Sequence, residues 1–322
     1  MNAASPLLLT GGTGFFGRAL LRHWAGLHAA GQVVPAVTVL SRDPANFLRR
    51  HPEFALEPWL QWHAGDILRP DSLPWHGAYT HLLHAAADTV PGPELGPLQR
   101  YTQIVDGTRH LLEFAAARGI RRFLLVSSGA VYGPQPATLE RVAEDCLAMP
   151  DPLQAANAYG VAKRTAEHLC ALFGAGAGLQ TVIARAFAFV GPDLPRDAHF
   201  AIGNFIRDAL HGEAIVVAGD GTALRSYLDQ RDLARWLNTL LQAGTPGRAY
   251  NVGSDAAISI AELAHLVRDV LAPNKPVRIL GRAEPGALRA RYVPDIRRAQ
   301  VELGLAVRIA LREAIADAAI RP

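Results

Sequence analysis

The stretch Leu7–Gly17, LLLTGGTGFFG, decides the fold that we expect for this chain. Three leucines lead into four glycines within seven positions, and an apolar segment with helical spacing follows. A buried strand, a glycine-rich turn and a helix N-terminus together form an anion site, because backbone N–H groups point outward there and the helix dipole favours negative charge. Glycine permits both the tight turn and the close approach of a pyrophosphate.

The glycine spacing predicts a dinucleotide site. Gly12, Gly14 and Gly17 fit the pattern G-x-G-x-x-G, and Gly11, Gly14 and Gly17 fit a second pattern of the same kind. A P-loop is excluded because no Lys-Ser/Thr pair follows the glycines. The alternative is a turn that needs glycine only for tight packing. The surrounding βαβ unit of about 30 residues favours nucleotide binding over that alternative.

The next predicted strand, in VTVLSRDP (Val37–Pro44), carries the information on the cofactor type. An acidic residue at its end would bind the adenosine ribose 2′-hydroxyl and repel a 2′-phosphate. This chain has Ser41 and Arg42 there, and a guanidinium binds phosphate through two parallel hydrogen bonds. We therefore expect NADP. The alternative is NAD, with Arg42 in solvent and Asp43 on the ribose.

Strands alternate with helices through the first half of the chain, which predicts parallel βαβ units in a doubly wound α/β (Rossmann) sheet. The expected strands are Pro6–Thr10, Ala36–Leu40, Leu60–Ala64, Thr80–Ala86, Arg122–Ser127 and Leu179–Ala184, and the expected helices are Phe15–Ala30, Leu98–Arg118 and Asn157–Phe173. The pattern loosens after Ala186. We predict a dinucleotide-binding domain over residues 1–185 and a smaller α/β substrate-binding lobe over 186–322, partly interleaved with the first.

Composition excludes several classes of protein. The 322 residues are 50% hydrophobic, with 32 basic and 29 acidic side chains interspersed, which is not typical of a nucleic-acid binder. The early apolar run is too short for a signal peptide or a membrane span. Two cysteines and twelve histidines lack metal-site spacing, so we expect no metal and a reducing, cytoplasmic location.

Candidate catalytic residues follow in the middle of the chain. NAYGVAKRTAEHL places Tyr159 and Lys163 four residues apart, on one face of a predicted helix. An ammonium beside a phenol is expected to lower the phenol pKa, so that Tyr159 exchanges a proton with a hydroxyl group. Ser128 ends a predicted strand, at the edge of the sheet that faces the ligand crevice. The alternative is a helix with an incidental Tyr and Lys.

These motifs, in this order, resemble the extended short-chain dehydrogenase/reductases, specifically the NAD(P)-dependent epimerase/dehydratase group that acts on nucleotide sugars. The resemblance covers almost the whole chain. It implies cofactor contacts from the segments TGGTGFFG, AGDI and HAAADT and from the catalytic helix. These residues are Gly11, Thr13, Gly14, Phe15, Phe16, Gly17, Asp66, Ile67, Ala85, Ala86, Ala87, Tyr159 and Lys163, beside Ser41 and Arg42.

The resemblance also implies substrate-binding residues and a homodimer. Arg225, in GDGTALRSYLDQRDLA, matches an arginine that binds the sugar nucleotide's diphosphate in the family. We add Asn204 and Arg291 as candidate substrate-binding residues, from their segments. The family usually forms homodimers through a four-helix bundle, and the matching helices here are Leu98–Arg118 and Asn157–Phe173.

Departures from the family pattern bear on the reaction. Gly129 and Ala130 stand where 4,6-dehydratases carry carboxyl groups, which argues against β-elimination. Ile104 and Ala188 stand where the family pattern has asparagines, so we expect the contacts with the substrate to differ from those of the family. We predict an NADP(H)-dependent reductase of a 4-keto nucleotide sugar. The alternative is a 4-epimerase that holds NAD tightly; a dehydratase or a non-catalytic cofactor-binding protein is less consistent with the motifs.

Overall fold

The computed structural model describes residues 5–86, 95–136, 138–198, 200–284, 286 and 288–320. Ala87, one of the predicted cofactor contacts, lies outside these residues. The strands in chain order are β1 (Leu7–Thr10), β2 (Val37–Ser41), β3 (Leu60–Ala64), β4 (His81–His84), β5 (Arg122–Ser128), β6 (Gln180–Ala186), β7 (Phe189–Val190), β8 (Ile215–Val217), β9 (Leu224–Arg225), β10 (Leu228–Asp229), β11 (Ala249–Val252), β12 (Ile258–Ser259), β13 (Val277–Ile279) and β14 (Arg291–Tyr292).

The helices complete the chain. They are α1 (Phe15–Ala29), α2 (Pro44–Arg50), α3 (Pro97–Ala117), α4 (Ala158–Ala177), α5 (Ala201–His211), α6 (Gln230–Ala243), α7 (Ile260–Leu271), α8 (Arg297–Leu303) and α9 (Leu311–Ala319). Among the described residues, none of these helices is both long enough and apolar enough to cross a membrane.

Seven strands form a parallel central sheet in the order β3-β2-β1-β4-β5-β6-β11. The chain order reverses between β1 and β4, and in open α/β sheets a ligand crevice opens at the carboxyl ends of the strands at such a point. The Gly-rich turn follows β1 at this position. The predicted α/β Rossmann sheet is therefore confirmed, and β11 joins it although it lies beyond residue 185.

Helices cover both faces of the sheet, as burial of its apolar strands requires. One face packs against α1 and α6 through side chains such as Leu20, Trp24 and Trp236, all of which are fully buried. The other face packs against α3 and α4 through Leu111, Phe114 and neighbouring residues. These two layers fix the positions of the strand ends that form the site.

A second core lies in the C-terminal half of the chain. Helices α5, α7 and α9 pack together with the short strands β8 and β13 around buried aliphatic and aromatic side chains. Strands β12, β9 and β14 form a separate small sheet. This region carries the predicted substrate residues.

Three strands extend beyond their predicted ends, and β2 does so by one residue, to Ser41. Strand β5 includes Ser128 and strand β6 continues to Ala186, because these two residues are paired in the parallel ladder. The pairing makes Ser128 part of the sheet edge, next to the ends of β4 and β1.

Candidate active site

Three of the four glycines of the turn, Gly11, Gly14 and Gly17, have different roles. Gly11 has φ +76°, and an added Cβ would lie 2.5 Å from the Ala85 carbonyl carbon, so glycine lets the ends of β1 and β4 meet. A Cβ on Gly17 would lie 2.2 Å from Gly12 Cα, so Gly17 allows helix α1 to pack on the turn. A Cβ on Gly14 meets only the Gly11 carbonyl oxygen, at 3.5 Å. Gly14 therefore faces open space at the start of α1.

A cleft of about 330 Å³ opens beside this turn, and most of the predicted cofactor residues line it. They come from the ends of β1, β2, β3 and β4, which the parallel sheet places side by side. The predicted residues in its lining are Gly11, Thr13, Gly14, Ser41, Arg42, Asp66, Ile67, Ala85 and Ala86. The cleft is therefore formed by segments that are distant in sequence and meet at the reversal of strand order.

Five of the described predicted cofactor residues lie outside this lining: Tyr159 and Lys163 on helix α4, and Phe15, Phe16 and Gly17 on helix α1. The Phe15 and Phe16 rings meet edge to face at 5.8 Å between centroids, and Phe16 packs in the same way on Phe189 at 5.3 Å. Gly17 is buried against the turn. The α1 residues join that helix to the segment after β6, so the structure places them in packing rather than in the cleft wall.

The far end of the cleft contains two arginines. Arg42 follows β2, and Arg50, which the sequence analysis did not identify, comes from the end of helix α2. Asp43 is the N-cap of α2: its carboxylate accepts a hydrogen bond from the Asn46 backbone N–H at 2.9 Å. Pro44 follows as the first helical residue, where its fixed φ suits the helix. Helix α2 thus turns back and brings Arg50 to the cleft that Arg42 lines.

Asp66 and Ile67 form the wall on the β3 side. The Asp66 carboxylate accepts a hydrogen bond from the Leu68 backbone N–H at 2.9 Å, which closes the turn after β3. Ile67 packs on helix α3 at Gly107, where an added Cβ would lie 2.6 Å from Ile67 Cδ1. The wall is therefore held against α3.

Ser128, Tyr159 and Lys163 meet at the neighbouring end of β5. The buried Ser128 Oγ accepts a hydrogen bond from the Ala130 backbone N–H at 3.1 Å, and Ser128 is close enough to Tyr159 to act on the pKa of that phenol. The buried Lys163 Nζ donates to the Val126 carbonyl oxygen at 2.9 Å. Tyr159 lies in the first turn of α4, and Lys163 lies one turn later. The three predicted catalytic residues are thus brought together.

The electrostatics of this group differ from the sequence expectation. Burial raises the pKa of Tyr159, and the effects of Ser128 and of the Arg100 charge only partly oppose this rise. Burial lowers the pKa of Lys163 to about 8 against the opposing charge of Glu167. The expectation that Lys163 lowers the Tyr159 pKa is wrong for this structure, because the ammonium is directed to the Val126 carbonyl oxygen.

A partly buried ion pair lies beneath the catalytic group. Arg185 Nη2 lies 2.7 Å from Glu167 Oε2, and Ser127 Oγ donates to Glu167 at 2.6 Å. Arg185 also donates to the Tyr132 hydroxyl at 2.8 Å. This network ties β5, α4 and β6 together, so it fixes the helix that carries Tyr159 and Lys163.

Tyr292 is a second phenol at the site that the sequence analysis missed. Its hydroxyl donates a long hydrogen bond to the Ala186 carbonyl oxygen at 3.5 Å, and its ring packs on Phe187 at 4.7 Å between centroids. Arg225 lies over the same ring at 6.0 Å, in the register that pairs Arg225 with Tyr292. Because β14 is only two residues long and lies far along the chain, no periodicity or spacing indicated this contact.

The predicted substrate residues are only partly brought together. Arg225 and Arg291 lie on neighbouring strands of the small sheet, where Arg291 pairs with Leu224. Asn204 lies on helix α5, and its Oδ1 accepts a long hydrogen bond from Arg207 at 3.5 Å. Among the described residues, no hydrogen bond joins Asn204 to either arginine.

The residues present fit a dinucleotide. Gly14 leaves room at a helix N-terminus for a diphosphate, which a Cβ would narrow. The cleft leads from that position to the two arginines, and Ala85 and Ala86 line it on the side of strand β4, the neighbour of β5.

Comparisons with known proteins agree with this geometry. The family model described as "NAD dependent epimerase/dehydratase family" matches residues 7–253. The chain is 29% identical to UDP-glucuronic acid decarboxylase 4 of Arabidopsis thaliana over 314 residues, which is 96% of this chain and 66% of the relative. It therefore spans a little less than two thirds of that relative's length.

One further curated protein and two solved structures are also similar to this chain. GDP-6-deoxy-D-mannose reductase of Pseudomonas aeruginosa is 32% identical over 247 residues, which is 73% of this chain and 79% of the relative. The structure of RMD from Pseudomonas aeruginosa, complexed with NADPH, has a TM-score of 0.77 at 26% identity and covers 98% of both chains. UDP-glucose 4-epimerase from Thermotoga maritima shares the fold, with a TM-score of 0.81 at 21% identity over 98% of this chain and 97% of that one.

The matched segment covers most of the chain and contains the glycine turn, the cleft and the Ser128–Tyr159–Lys163 group. The chain therefore belongs to the NAD-dependent epimerase/dehydratase family.

Proposed function

We propose that this protein is an NADP(H)-dependent reductase of a 4-keto nucleotide sugar. The observation that carries the proposal is the pair of arginines, Arg42 and Arg50, at the end of the cleft. Their charge suits the 2′-phosphate of NADP, and Ser41 adds a hydroxyl donor. Asp43, the alternative ribose ligand, uses a carboxylate oxygen to cap helix α2.

The cofactor preference favours reduction over epimerisation. A reductase consumes its reductant, which is usually NADPH, whereas an epimerase usually retains NAD and returns the hydride. The similarity to GDP-6-deoxy-D-mannose reductase and to the NADPH complex of RMD supports the same choice.

The cofactor is assigned to the cleft, within a first domain of residues 1–185. Backbone groups at Gly11 and Gly14, with the N-terminus of α1, hold the diphosphate; Ser41, Arg42 and Arg50 hold the adenosine end. When bound, the cofactor supplies hydride to the carbonyl carbon of the substrate.

The proton comes from this chain. Tyr159 transfers its phenolic proton to the carbonyl oxygen as that carbon is reduced, so that hydride plus proton converts the ketone into an alcohol. Ser128 donates a hydrogen bond to the same oxygen and holds it beside Tyr159. Lys163 orients the nicotinamide ribose, and the neighbouring Glu167–Arg185 pair keeps helix α4 in position.

The substrate is assigned to the second lobe, over residues 186–322. Arg225 is proposed to bind the diphosphate of the substrate through its guanidinium. Arg291 lies on the adjacent strand but pairs with Leu224, so its side chain projects from the opposite face of the small sheet and is proposed as a separate contact. Asn204 is proposed as a further contact from helix α5. We also propose a homodimer through α3 and α4, where Leu98 and Leu172 are exposed on helices that are otherwise packed on the sheet.

A panel of substrates tests the proposal. Purified protein is incubated with two groups of nucleotide sugars, each with NADPH, NADH or NAD. The first group has a ketone at carbon 4, and the second has a hydroxyl at carbon 4 and includes UDP-glucuronic acid. Stoichiometric loss of NADPH with a 4-keto sugar is the expected result. Product formed without net cofactor change would instead identify an epimerase, and release of carbon dioxide from UDP-glucuronic acid would identify a decarboxylase.

A further inference from the structure

One buried carboxylate joins the helix at the cofactor cleft to the segment that leads into the second lobe. Asp193 follows strand β7, and its side chain is 1% exposed. Arg18, in the first turn of α1, places Nη1 3.0 Å from Asp193 Oδ1 and donates from Nη2 to the Asp193 carbonyl oxygen at 2.9 Å. Arg22, one turn later on α1, places Nε 3.2 Å from Asp193 Oδ2. Two cations of the helix that begins after Gly14 thus bind one carboxylate.

A third element also binds this carboxylate. Gln230, the first residue of α6, donates from Nε2 to Asp193 Oδ2, and its Oε1 accepts from the Asp193 backbone N–H at 3.2 Å. Gly191 allows this approach, because an added Cβ there would lie 2.5 Å from Gln230 Cβ. Asp193 is therefore held by α1 and α6, the two helices that cover the same face of the sheet.

The segment that carries Asp193 packs on two helices of the second lobe. The buried Arg196 donates to the Ala318 carbonyl oxygen, near the end of α9, at 2.6 Å. An added Cβ on Gly203 of α5 would lie 2.5 Å from the Pro195 carbonyl oxygen, so α5 packs directly on this segment. The position of Asp193 therefore fixes the position at which α5 begins.

Burial of these charges is costly for stability. A buried ion pair loses the hydration of both charges, and apolar side chains of similar volume are often as stable. In the part of the chain that the structure describes, Arg18 Nε is buried and has no hydrogen-bond partner, so the Arg18 charge relies on Asp193 for compensation. The directional hydrogen bonds of the carboxylate instead define one relative position of α1 and the segment 191–196.

We propose that Asp193 is a positioning residue: through Arg18 and Arg22 it fixes α5 relative to α1, and so sets the distance between the sugar and the nicotinamide. This inference rests on the proposed function for the places of the cofactor and the sugar. Asp193 lies outside the cleft lining, so it acts through the two helices. A diphosphate at the N-terminus of α1 restrains that helix, and the ion pairs extend the restraint to the segment 191–196 and to α5.

Hydrogen exchange read by mass spectrometry, with and without saturating NADP, tests this restraint without any substrate. In the wild type we expect NADP to slow amide exchange in the glycine turn and α1, and also in the segment 191–196 and α5. Asp193→Asn keeps the side-chain volume and removes the charge. In this variant NADP should still protect the turn and α1, but no longer the segment 191–196 and α5.

The matched control is a buried aspartate that binds other partners. Asp232 of α6 pairs with Arg235 at 2.6 Å and accepts from the Arg308 backbone N–H at 2.7 Å. Asp232→Asn loses a buried charge of the same kind, so it controls for a general loss of stability. It should keep the wild-type pattern of protection by NADP.

The kinetic consequence separates positioning from cofactor binding. For Asp193→Asn the Kd for NADP should stay within about twofold of the wild type, whereas kcat with a 4-keto sugar should fall about tenfold or more, because misplacement of reacting groups by about 1 Å costs about 10²-fold. Arg22→Gln removes one of the two cations and should give a smaller fall, with little further effect when added to Asp193→Asn. The same exchange comparison can be made on Arg22→Gln if Asp193→Asn does not fold.

The outcomes separate this inference from the proposed function. An unchanged kcat, or equal protection of α5 by NADP in the wild type and in Asp193→Asn, would overturn the role of Asp193 and leave the reductase intact. Protection of α5 that is lost in Asp193→Asn, in a protein that oxidises no NADPH with any 4-keto sugar, would support the role of Asp193 and overturn the reductase. NADP that protects no part of α1 in the wild type would overturn the cofactor site and this inference with it.

Discussion

The Asp43 carboxylate accepts a hydrogen bond from the Asn46 backbone N–H at 2.9 Å and so begins helix α2. This bond has two consequences for the cleft. It engages one oxygen of the Asp43 carboxylate, which the sequence had suggested as a ligand of the ribose, in a hydrogen bond to the helix. It also sets the direction of α2, whose last residue, Arg50, lines the cleft with Arg42.

Replacement of either arginine should therefore weaken NADP(H) selectively. We expect Arg42→Ala and Arg50→Ala each to raise the Kd for NADP about tenfold or more and to leave the Kd for NAD almost unchanged, because each removes a charged hydrogen-bond donor to the 2′-phosphate. Arg49→Ala is the matched control, since Arg49 is exposed on the same helix and hydrogen-bonds to Asn46. Calorimetry at one fixed salt concentration measures the Kd for NADP and the Kd for NAD of the wild type and of each variant.

The 2′-phosphate assignment also predicts the effect of an added acid. Ser41→Asp should reverse the preference, because a carboxylate accepts from a 2′-hydroxyl and repels a 2′-phosphate. Tighter binding of NAD than NADP by the wild type, with no response to Arg42→Ala, would refute the assignment.

Two glycines of the turn should respond in opposite ways to substitution. Gly14→Val should leave the Tm close to that of the wild type and abolish cofactor binding, because its side chain points into open space at the start of α1. Gly17→Ala should lower the Tm, because its Cβ would lie 2.2 Å from Gly12 Cα. Thermal unfolding and calorimetry on both variants check this; equal losses of stability would contradict it.

The sequence predicted the inner strands of the sheet well, because these strands are buried on both faces and carry continuous apolar runs. The run Leu60–Ala64 has the same bounds in the structure, and the other predicted strands differ by one or two residues at their ends. Short strands such as β14 escaped prediction, because two residues carry no periodicity. Their position depends on pairing with distant segments.

Tyr159→Phe should remove most of the activity while the protein still binds cofactor. Loss of a general acid costs about 10²–10⁴-fold in rate. The rate of NADPH oxidation and the Kd for NADP, measured on the same sample, check both parts. Turnover near the wild-type rate would show that another group supplies the proton.

The parts of the site whose geometry is set within one short segment were predictable from the sequence. Tyr159 and Lys163 share a helix face by spacing, and the glycine turn follows a strand. Arg50 and Tyr292 were not predictable, because Arg50 depends on the direction of α2 and Tyr292 on the packing of β14. The direction of the Lys163 ammonium was also missed, since it depends on a carbonyl group of the neighbouring strand.

Acid should destabilise the protein through His84. This buried side chain lies 2.8 Å from Thr10 Oγ1, and burial, followed by the charge of Lys163, lowers its pKa to about 3. The unfolded chain binds a proton on His84 below pH 6.5 and the native state does not. The free energy of unfolding should thus fall as the pH drops from 6.5 towards 3, with up to about 1.4 kcal/mol per pH unit from this group.

The control for His84 is an exposed histidine. Urea unfolding at several pH values should show a shallower acid dependence in His84→Gln than in the wild type. His265→Gln, on the exposed face of α7, should keep the wild-type slope. Identical slopes in all three proteins would show that His84 is not the group responsible.

The transfer of labelled hydride from NADPH to the sugar distinguishes the proposed reductase from an epimerase. The protein is incubated with a 4-keto nucleotide sugar and NADPH that carries deuterium at the transferable position of the nicotinamide. The account predicts that the label appears at carbon 4 of the sugar, with one NADPH oxidised for each product molecule. A 4-keto sugar that stays unreduced while NADPH stays unoxidised would contradict the reductase, and interconversion of a 4-hydroxy nucleotide sugar and its 4-epimer without net cofactor change would identify an epimerase instead.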